Sequence, residues 1–199
     1  MSRQLEFWLE FASTYSYVAA LRIEPLCEAV GLTVKYKPFL LGPLFAEQLG
    51  IKDSPFNAYP VRGRYMWRDL ERLCAKYSLP WRRPKAFPRN SVLAARVACL
   101  GVEEAWGPQF IRKVFLGNFA EDREIADRRV LADLLDQLQL PSAEILERAV
   151  SPENKSHLRD QTMQAAALGM FGAPSFVVSG ELFFGQDRLE DAIDWALSH

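Results

Sequence analysis

The run Glu6-Phe7-Trp8-Leu9-Glu10-Phe11-Ala12 is almost wholly apolar, the pattern of a strand buried on both faces. It gives way to hydroxyl side chains at Ser13, Thr14 and Ser16, and from Val18 the apolar positions take helical spacing. A buried strand therefore runs straight into a helix N-terminus, with Ser13 at the junction. Residues 14–30 read as the first helix, with Val18, Leu21, Leu26 and Val30 on its apolar face. Pro25 is a kink point and Gly31 a C-terminal stop. Thr33 to Pro38 alternates and is rich in β-formers. Strand, helix and strand predict a right-handed parallel βαβ unit.

From Phe39 the period changes. Pro43 to Leu49 reads as a short helix opened by proline, and Asp53-Ser54-Pro55-Phe56-Asn57 as a turn. Residues 61–78 are helical, with Tyr65, Leu70, Leu73 and Tyr77 recurring at near-helical spacing. Leu79 to Pro88 is an extended, basic, proline-rich loop. Asn90 or Ser91 then caps a helix that runs through Gly101, and further helices are expected near 106–119, 127–138, 142–149 and 152–169. Strands return only at Ser175 to Val178 and Glu181 to Phe184, joined by Ser179-Gly180 as a hairpin, before an amphipathic helix over Leu189 to Leu197. The order β-α-β, helices, β-β-α is that of an α/β protein with a thioredoxin-like core and a large all-helical insertion. Residues 1–39 and 169–199 form the expected core, and 40–168 the inserted domain.

Composition narrows the function. A net charge of −1 over 199 residues gives no electrostatic case for nucleic acid. No apolar run approaches the length of a membrane span, and no apolar signal region precedes the first strand, so a cytoplasmic protein is expected. The three cysteines, Cys27, Cys74 and Cys99, are far apart and fall in helical apolar patterns, as reduced core thiols do. Two histidines, His157 and His199, offer neither metal spacing nor a triad.

In a thioredoxin-like core the reactive pair opens the first helix, and here that place holds Ser13-Thr14-Tyr15-Ser16. Without sulfur, disulfide exchange is disfavoured. Ser13 is open to two readings: an N-cap, or a hydroxyl that donates to another molecule's thiolate and lowers its pKa. Gly172-Ala173-Pro174-Ser175 precedes a buried strand. If its X-Pro bond is cis, the Ala173 backbone is presented to a peptide-like ligand; a trans proline only closes a turn. Asp187, in Gly185-Gln186-Asp187-Arg188-Leu189, is either an N-cap or an acceptor for a ligand ammonium. Among the cations, Arg89 with Asn90 is the first candidate for a substrate carboxylate, with Arg62 and Arg64 near Tyr65 as competitors, while Arg82, Arg83 and Lys85 fit a solvated face. Trp67, Trp81 and Trp106 read as core.

Six segments together resemble the 2-hydroxychromene-2-carboxylate isomerases, relatives of the kappa-class glutathione transferases and of the disulfide oxidoreductase DsbA. They are Phe11 to Tyr17, Ser54 to Asn57, Arg62 to Met66, Phe87 to Ser91, Phe171 to Phe176 and Gly185 to Leu189. The resemblance implies a glutathione-dependent cis–trans isomerase acting on a small aromatic carboxylate, as a homodimer. It implies activation of the glutathione thiol by Ser13, and glutathione contacts at Ala173, Pro174, Gln186, Asp187 and Arg188. It implies substrate contacts at Asn57, Arg62, Tyr65, Arg89 and Asn90. The chain departs from the family pattern at Thr14, where proline is usual, and at Arg62, where lysine is usual. Competing readings are a transferase or reductase of the same fold acting on other electrophiles, and a non-catalytic ligand- or partner-binding module.

Overall fold

A computed structural model describes residues 3–199. Met1 and Ser2, the start of the expected core segment 1–39, lie outside the described residues. Strand β1 (Gln4–Leu9) is central in a four-stranded sheet of order β2-β1-β3-β4. It pairs in parallel with β2 (Thr33–Pro38) and antiparallel with β3 (Ser175–Val178), and β3 pairs antiparallel with β4 (Glu181–Phe184). Its register sets Phe7 between Tyr36 and Phe176, with ring centroids 5.9 and 5.5 Å away. Burial on both faces follows from alternation. Leu5, Phe7 and Leu9 enter the main core, while Trp8 enters a second cluster with Phe39, Leu44, Ala165 and Met170.

The strand ends sooner than the apolar run. The Glu10 carboxylate accepts the Ala12 N–H at 2.9 Å, and the Glu10 carbonyl accepts the Ser13 N–H at 3.0 Å. These bonds turn the chain into α1 (Thr14–Ala20). The expected single helix over 14–30 is two, α1 and α2 (Ile23–Glu28), because Pro25 has no N–H for the Leu21 carbonyl and its ring crowds that group. The Leu21 carbonyl instead accepts from Arg112 at 3.4 Å.

The helical segment comprises α3 (Leu41–Leu49), α4 (Pro55–Ala58), α5 (Pro60–Lys76), α6 (Val92–Gly101), α7 (Gly107–Phe119), α8 (Arg128–Asp136), α9 (Ser142–Ala149) and α10 (Pro152–Ala167). The chain closes on a 3₁₀ turn (Gln186–Arg188) and α11 (Leu189–Ser198). Two expectations change. The turn at 53–57 carries α4, capped by the Ser54 hydroxyl on the Phe56 N–H at 3.2 Å. The buried face of α5 is Gly63, Met66, Leu70 and Cys74, whereas Tyr65 is 62% exposed. Gly63 is required there, since a Cβ would lie 2.3 Å from the Phe56 carbonyl oxygen where α4 folds back on α5. Phe110, Phe115 and Phe119 of α7 and Ala94 of α6 share one buried cluster with Phe7, Phe11, Tyr17 and Phe176. The helical segment and the sheet thus exclude water from each other.

Candidate active site

Ser13 is the N-cap of α1. Its hydroxyl oxygen accepts the Ser16 N–H at 3.1 Å and its hydrogen goes to the Ala173 carbonyl at 2.8 Å. One side chain thereby joins the first helix to the loop before β3. The N–H groups of Thr14 and Tyr15, in the first turn, find no acceptor among the described residues. The Ala173–Pro174 bond is cis. The Ala173 N–H donates to no group among the described residues, and the Pro174 carbonyl accepts the Gly185 N–H at 3.0 Å. Gly172 lies where a Cβ would come within 2.4 Å of the Phe184 ring. Ser16, the other end of the Ser-x-x-Ser, is fully buried, with a hydroxyl that has no partner. Only Ser13 of that pair fronts the cavity.

That cavity has a volume of about 770 Å³, inside the range of small-molecule sites, about 300–1,000 Å³. Its polar floor is Glu10, Ser13, Thr14 and Tyr15 together with Ala173, and its walls include Leu41, Phe45, Phe56, Phe87, Phe171 and Phe184. Lys52, Arg62, Arg89 and Asn90 also line it.

The cations are not equivalent. Arg89 is buried, its guanidinium donating to Asn118 Oδ1 at 2.9 Å, the Asn118 carbonyl at 3.2 Å and Asp122 Oδ1 at 2.5 Å. The Asp122 carboxyl is held below its usual pKa by the Lys85 N–H and by Arg89. Arg89 therefore anchors the basic loop to the end of α7, and the expected grip on a substrate carboxylate does not suit it. Arg62 has no carboxylate partner and lies 5.1 Å over the Tyr59 ring. Lys52, which sequence reasoning passed over, also faces the cavity without one. Asn90 accepts the Val92 N–H at 3.0 Å, leaving its amide hydrogens free.

Other expected site residues stand outside the cavity lining. Tyr65 faces solvent beside Arg72. Asn57 clips α4 to the basic loop, donating to Asp53 at 3.1 Å and to the Phe87 carbonyl at 3.0 Å. Gln186 is buried and accepts from Arg22 at 3.5 Å. Asp187 pairs with Arg188 at 3.2 Å, and Arg188 with Asp191 at 2.6 Å, so Asp187 does not cap α11. This turn reaches the Ala173 loop through the bond from Gly185 to Pro174.

Glu10 was not among the expected site residues. Its signal is in the sequence: a carboxylate at the inner end of a run predicted to be buried on both faces. It lines the cavity floor, held by the Ala12 N–H and the Ser91 hydroxyl, and burial pushes its pKa up to about 7. The cysteines are buried and unpaired, with Cys27 and Cys74 pushed up to about 11 and Cys99 to about 12 by burial. None is a thiolate near neutral pH. No helix of the described residues is long and apolar enough to cross a membrane.

Comparison with known proteins agrees with this architecture. The chain is 26% identical to the 2-hydroxychromene-2-carboxylate isomerase of Sphingobium xenophagum over 191 residues, covering 96% of each chain. It is 26% identical to glutathione S-transferase kappa 1 of Rattus norvegicus over 208 residues, covering 94% of this chain and 88% of that one. A solved 2-hydroxychromene-2-carboxylate isomerase superposes with a TM-score of 0.88 at 22% identity, covering 98% of this chain and 94% of the other. The model of the DSBA-like thioredoxin domain matches residues 4–194. The chain, with a cis-proline loop facing Ser13 across the end of a mixed sheet, belongs to the DSBA-like thioredoxin domain family.

Proposed function

We propose that the protein is a glutathione-dependent cis–trans isomerase of aromatic carboxylates, of the kind that interconverts 2-hydroxychromene-2-carboxylate and trans-o-hydroxybenzylidenepyruvate. The observation that carries this reading is the Ser13 hydroxyl, poised between the start of α1 and the Ala173 carbonyl at the floor of a largely apolar cavity. Its chemical partners fit a thiol tripeptide. The unpaired N–H groups of Ala173, Thr14 and Tyr15 are donors for a peptide carbonyl and a thiolate. The names of the isomerase and kappa-class relatives support the same pairing of reaction and cofactor.

Bound there, glutathione supplies a thiolate that adds reversibly to a conjugated double bond, which then turns as a single bond. The chain's residues make this possible. Ser13 gives its hydrogen to the sulfur only when Ala173 no longer needs it. A ligand N–H donating to the Ala173 carbonyl releases the hydroxyl, so cofactor docking and thiol activation are one event. Arg62, with Lys52 and the Asn90 amide, balances the substrate carboxylate and the charge that develops on its conjugated oxygen. The aromatic walls hold the ring and keep water out. Gln186, Asp187 and Arg188 receive the γ-glutamyl end from beyond the Ala173 loop. The working unit is a cytoplasmic homodimer.

Calorimetric titration with reduced glutathione, followed by ultraviolet thiolate absorbance, tests this reading. Wild type is expected to bind and to ionise the thiol near neutral pH, and Ser13→Ala to bind without ionising it. Absence of binding at millimolar glutathione removes the cofactor and favours a non-catalytic binding module. A transferase is the second reading, because the kappa-class relative is also 26% identical, over 88% of its own length. It is separated by the product: an isomerase returns free glutathione, while a transferase leaves it bound to the electrophile.

A further inference from the structure

A second, smaller cavity of about 200 Å³ lies between the start of α3, α6 and α10. Leu40 and Pro43 line both it and the main cavity. Three cations converge on it: Arg96 from α6, and Lys155 and Arg159 one turn apart on α10. No acidic residue lines it. Arg96 makes no hydrogen bond or ion pair with its side chain, and its Nε is buried without an acceptor. Lys155 forms no ion pair among the described residues. The carboxylate of Arg159 is that of its neighbour Asp160, at 3.5 Å on the exposed surface.

Like charges one helical turn apart repel, and a buried guanidinium donor without an acceptor is costly. Leu40, Leu158 and Thr162 line its inner side, while Pro43, Lys155, Arg159 and Met163 form its exposed rim. The arrangement lacks an anion. A single carboxylate leaves the positive charge largely unbalanced, whereas a phosphate group carries about −1.5 to −2 at neutral pH and several acceptor oxygens. The planar Arg96 fork matches phosphate oxygens, and a lysine serves as a point charge beside it.

We propose that this cavity is a phosphate-binding site, separate from the glutathione reading and independent of it. Its occupant is inorganic phosphate or the terminal phosphate of a phosphomonoester. The site meets the main cavity at Leu40 and Pro43. Thr162, on its wall, accepts the Leu40 N–H at 3.2 Å and donates to the Leu158 carbonyl at 2.9 Å. Leu40 is the N-cap of α3. An anion held against α10 therefore fixes the residue that begins the α3 wall of the larger cavity.

Thermal unfolding of the whole chain in inorganic phosphate, against chloride at matched ionic strength, is the test. Wild type is expected to gain melting temperature saturably in phosphate and not in chloride. Arg96→Met/Lys155→Gln is expected to lose that response, with affinity down at least about tenfold, while keeping its melting temperature in chloride. Lys155→Gln/Arg159→Gln changes only exposed side chains and carries the test if the first variant does not fold. An equal response in the variants, as from phosphate bound at Arg62, overturns the proposal, and so does a wild type that treats phosphate like chloride. Phenyl phosphate is the second arm. Tighter binding than inorganic phosphate identifies a phosphomonoester as the occupant, and weaker or equal binding identifies the free ion.

Discussion

Glu10 is a carboxyl group in an apolar place, and its titration reaches the stability of the protein. Burial raises its pKa from 4.5 to about 7. Between those values the unfolded chain has released the proton that the folded chain still holds, so the unfolded state binds fewer protons and stability falls as pH rises. The shift corresponds to about 3 kcal/mol, lost progressively from pH 4.5 to 7 and constant above. Glu10→Gln is expected to flatten that slope in urea unfolding at pH 5 and pH 8, roughly one unit outside the window on its alkaline side; a slope equal to that of wild type sinks the assignment. A charged Glu10 also opposes a thiolate above the same floor, so the glutamine variant is expected to ionise bound glutathione at lower pH. The two arginines of the cavity separate by the same kind of reasoning. Arg89→Ala strands the buried Asn118 acceptors and is expected to cost about 1–3 kcal/mol of stability. Arg62→Ala is expected to leave the melting temperature within about 1–2 °C and to raise KM for a carboxylate substrate, since surface substitutions of this kind change stability little. Paired melting and kinetic measurements on the two variants check this.

Among the elements, what could be read from the chain was what has a short period or a fixed chemistry. β1, β2 and the β3–β4 hairpin follow from apolar runs, alternation and the Ser179-Gly180 turn, and the caps at Ser13 and Asn90 follow from their hydroxyl and amide groups. The differences have separate physical causes. Tyr65 was counted as apolar because aromatic carbon dominates its side chain, yet α5 turns Met66 and Cys74 inward and Tyr65 to solvent. The division of the first helix was signalled by Pro25 but read as a bend. Tertiary pairing decided the rest: nothing near Arg89 in the chain announces Asn118 or Asp122 as its partners. Gly63 tests the element scale directly. Gly63→Ala drives a methyl into the Phe56 carbonyl and is expected to displace α4, costing about 1–3 kcal/mol and disturbing Arg62 beside it. Thermal unfolding and substrate KM measure the two effects, and a variant unchanged in both contradicts the close approach.

At the scale of the whole molecule, the site is assembled from distant parts of the chain. Ser13 and Ala173 are 160 positions apart and joined by one hydrogen bond. The aromatic walls come from the segment between them and, with Phe184, from the strand that follows, which is why the fold could be read in order while the cavity could not. The same assembly keeps sulfur away from the chemistry. The proposed thiol-activating position, Ser13, carries oxygen, and the three thiols are buried with pKa values of about 11 to 12. Iodoacetamide is expected to leave all three cysteines unlabelled in the native protein and to label them after denaturation, as mass mapping will read; labelling of the native chain contradicts their burial. Hydroxyl groups do not climb the oxidation ladder that inactivates thiolate sites. Under the proposed function, the protein therefore meets peroxide without losing its active group, and its susceptibility to oxidants is exported to a small, replaceable molecule in solution.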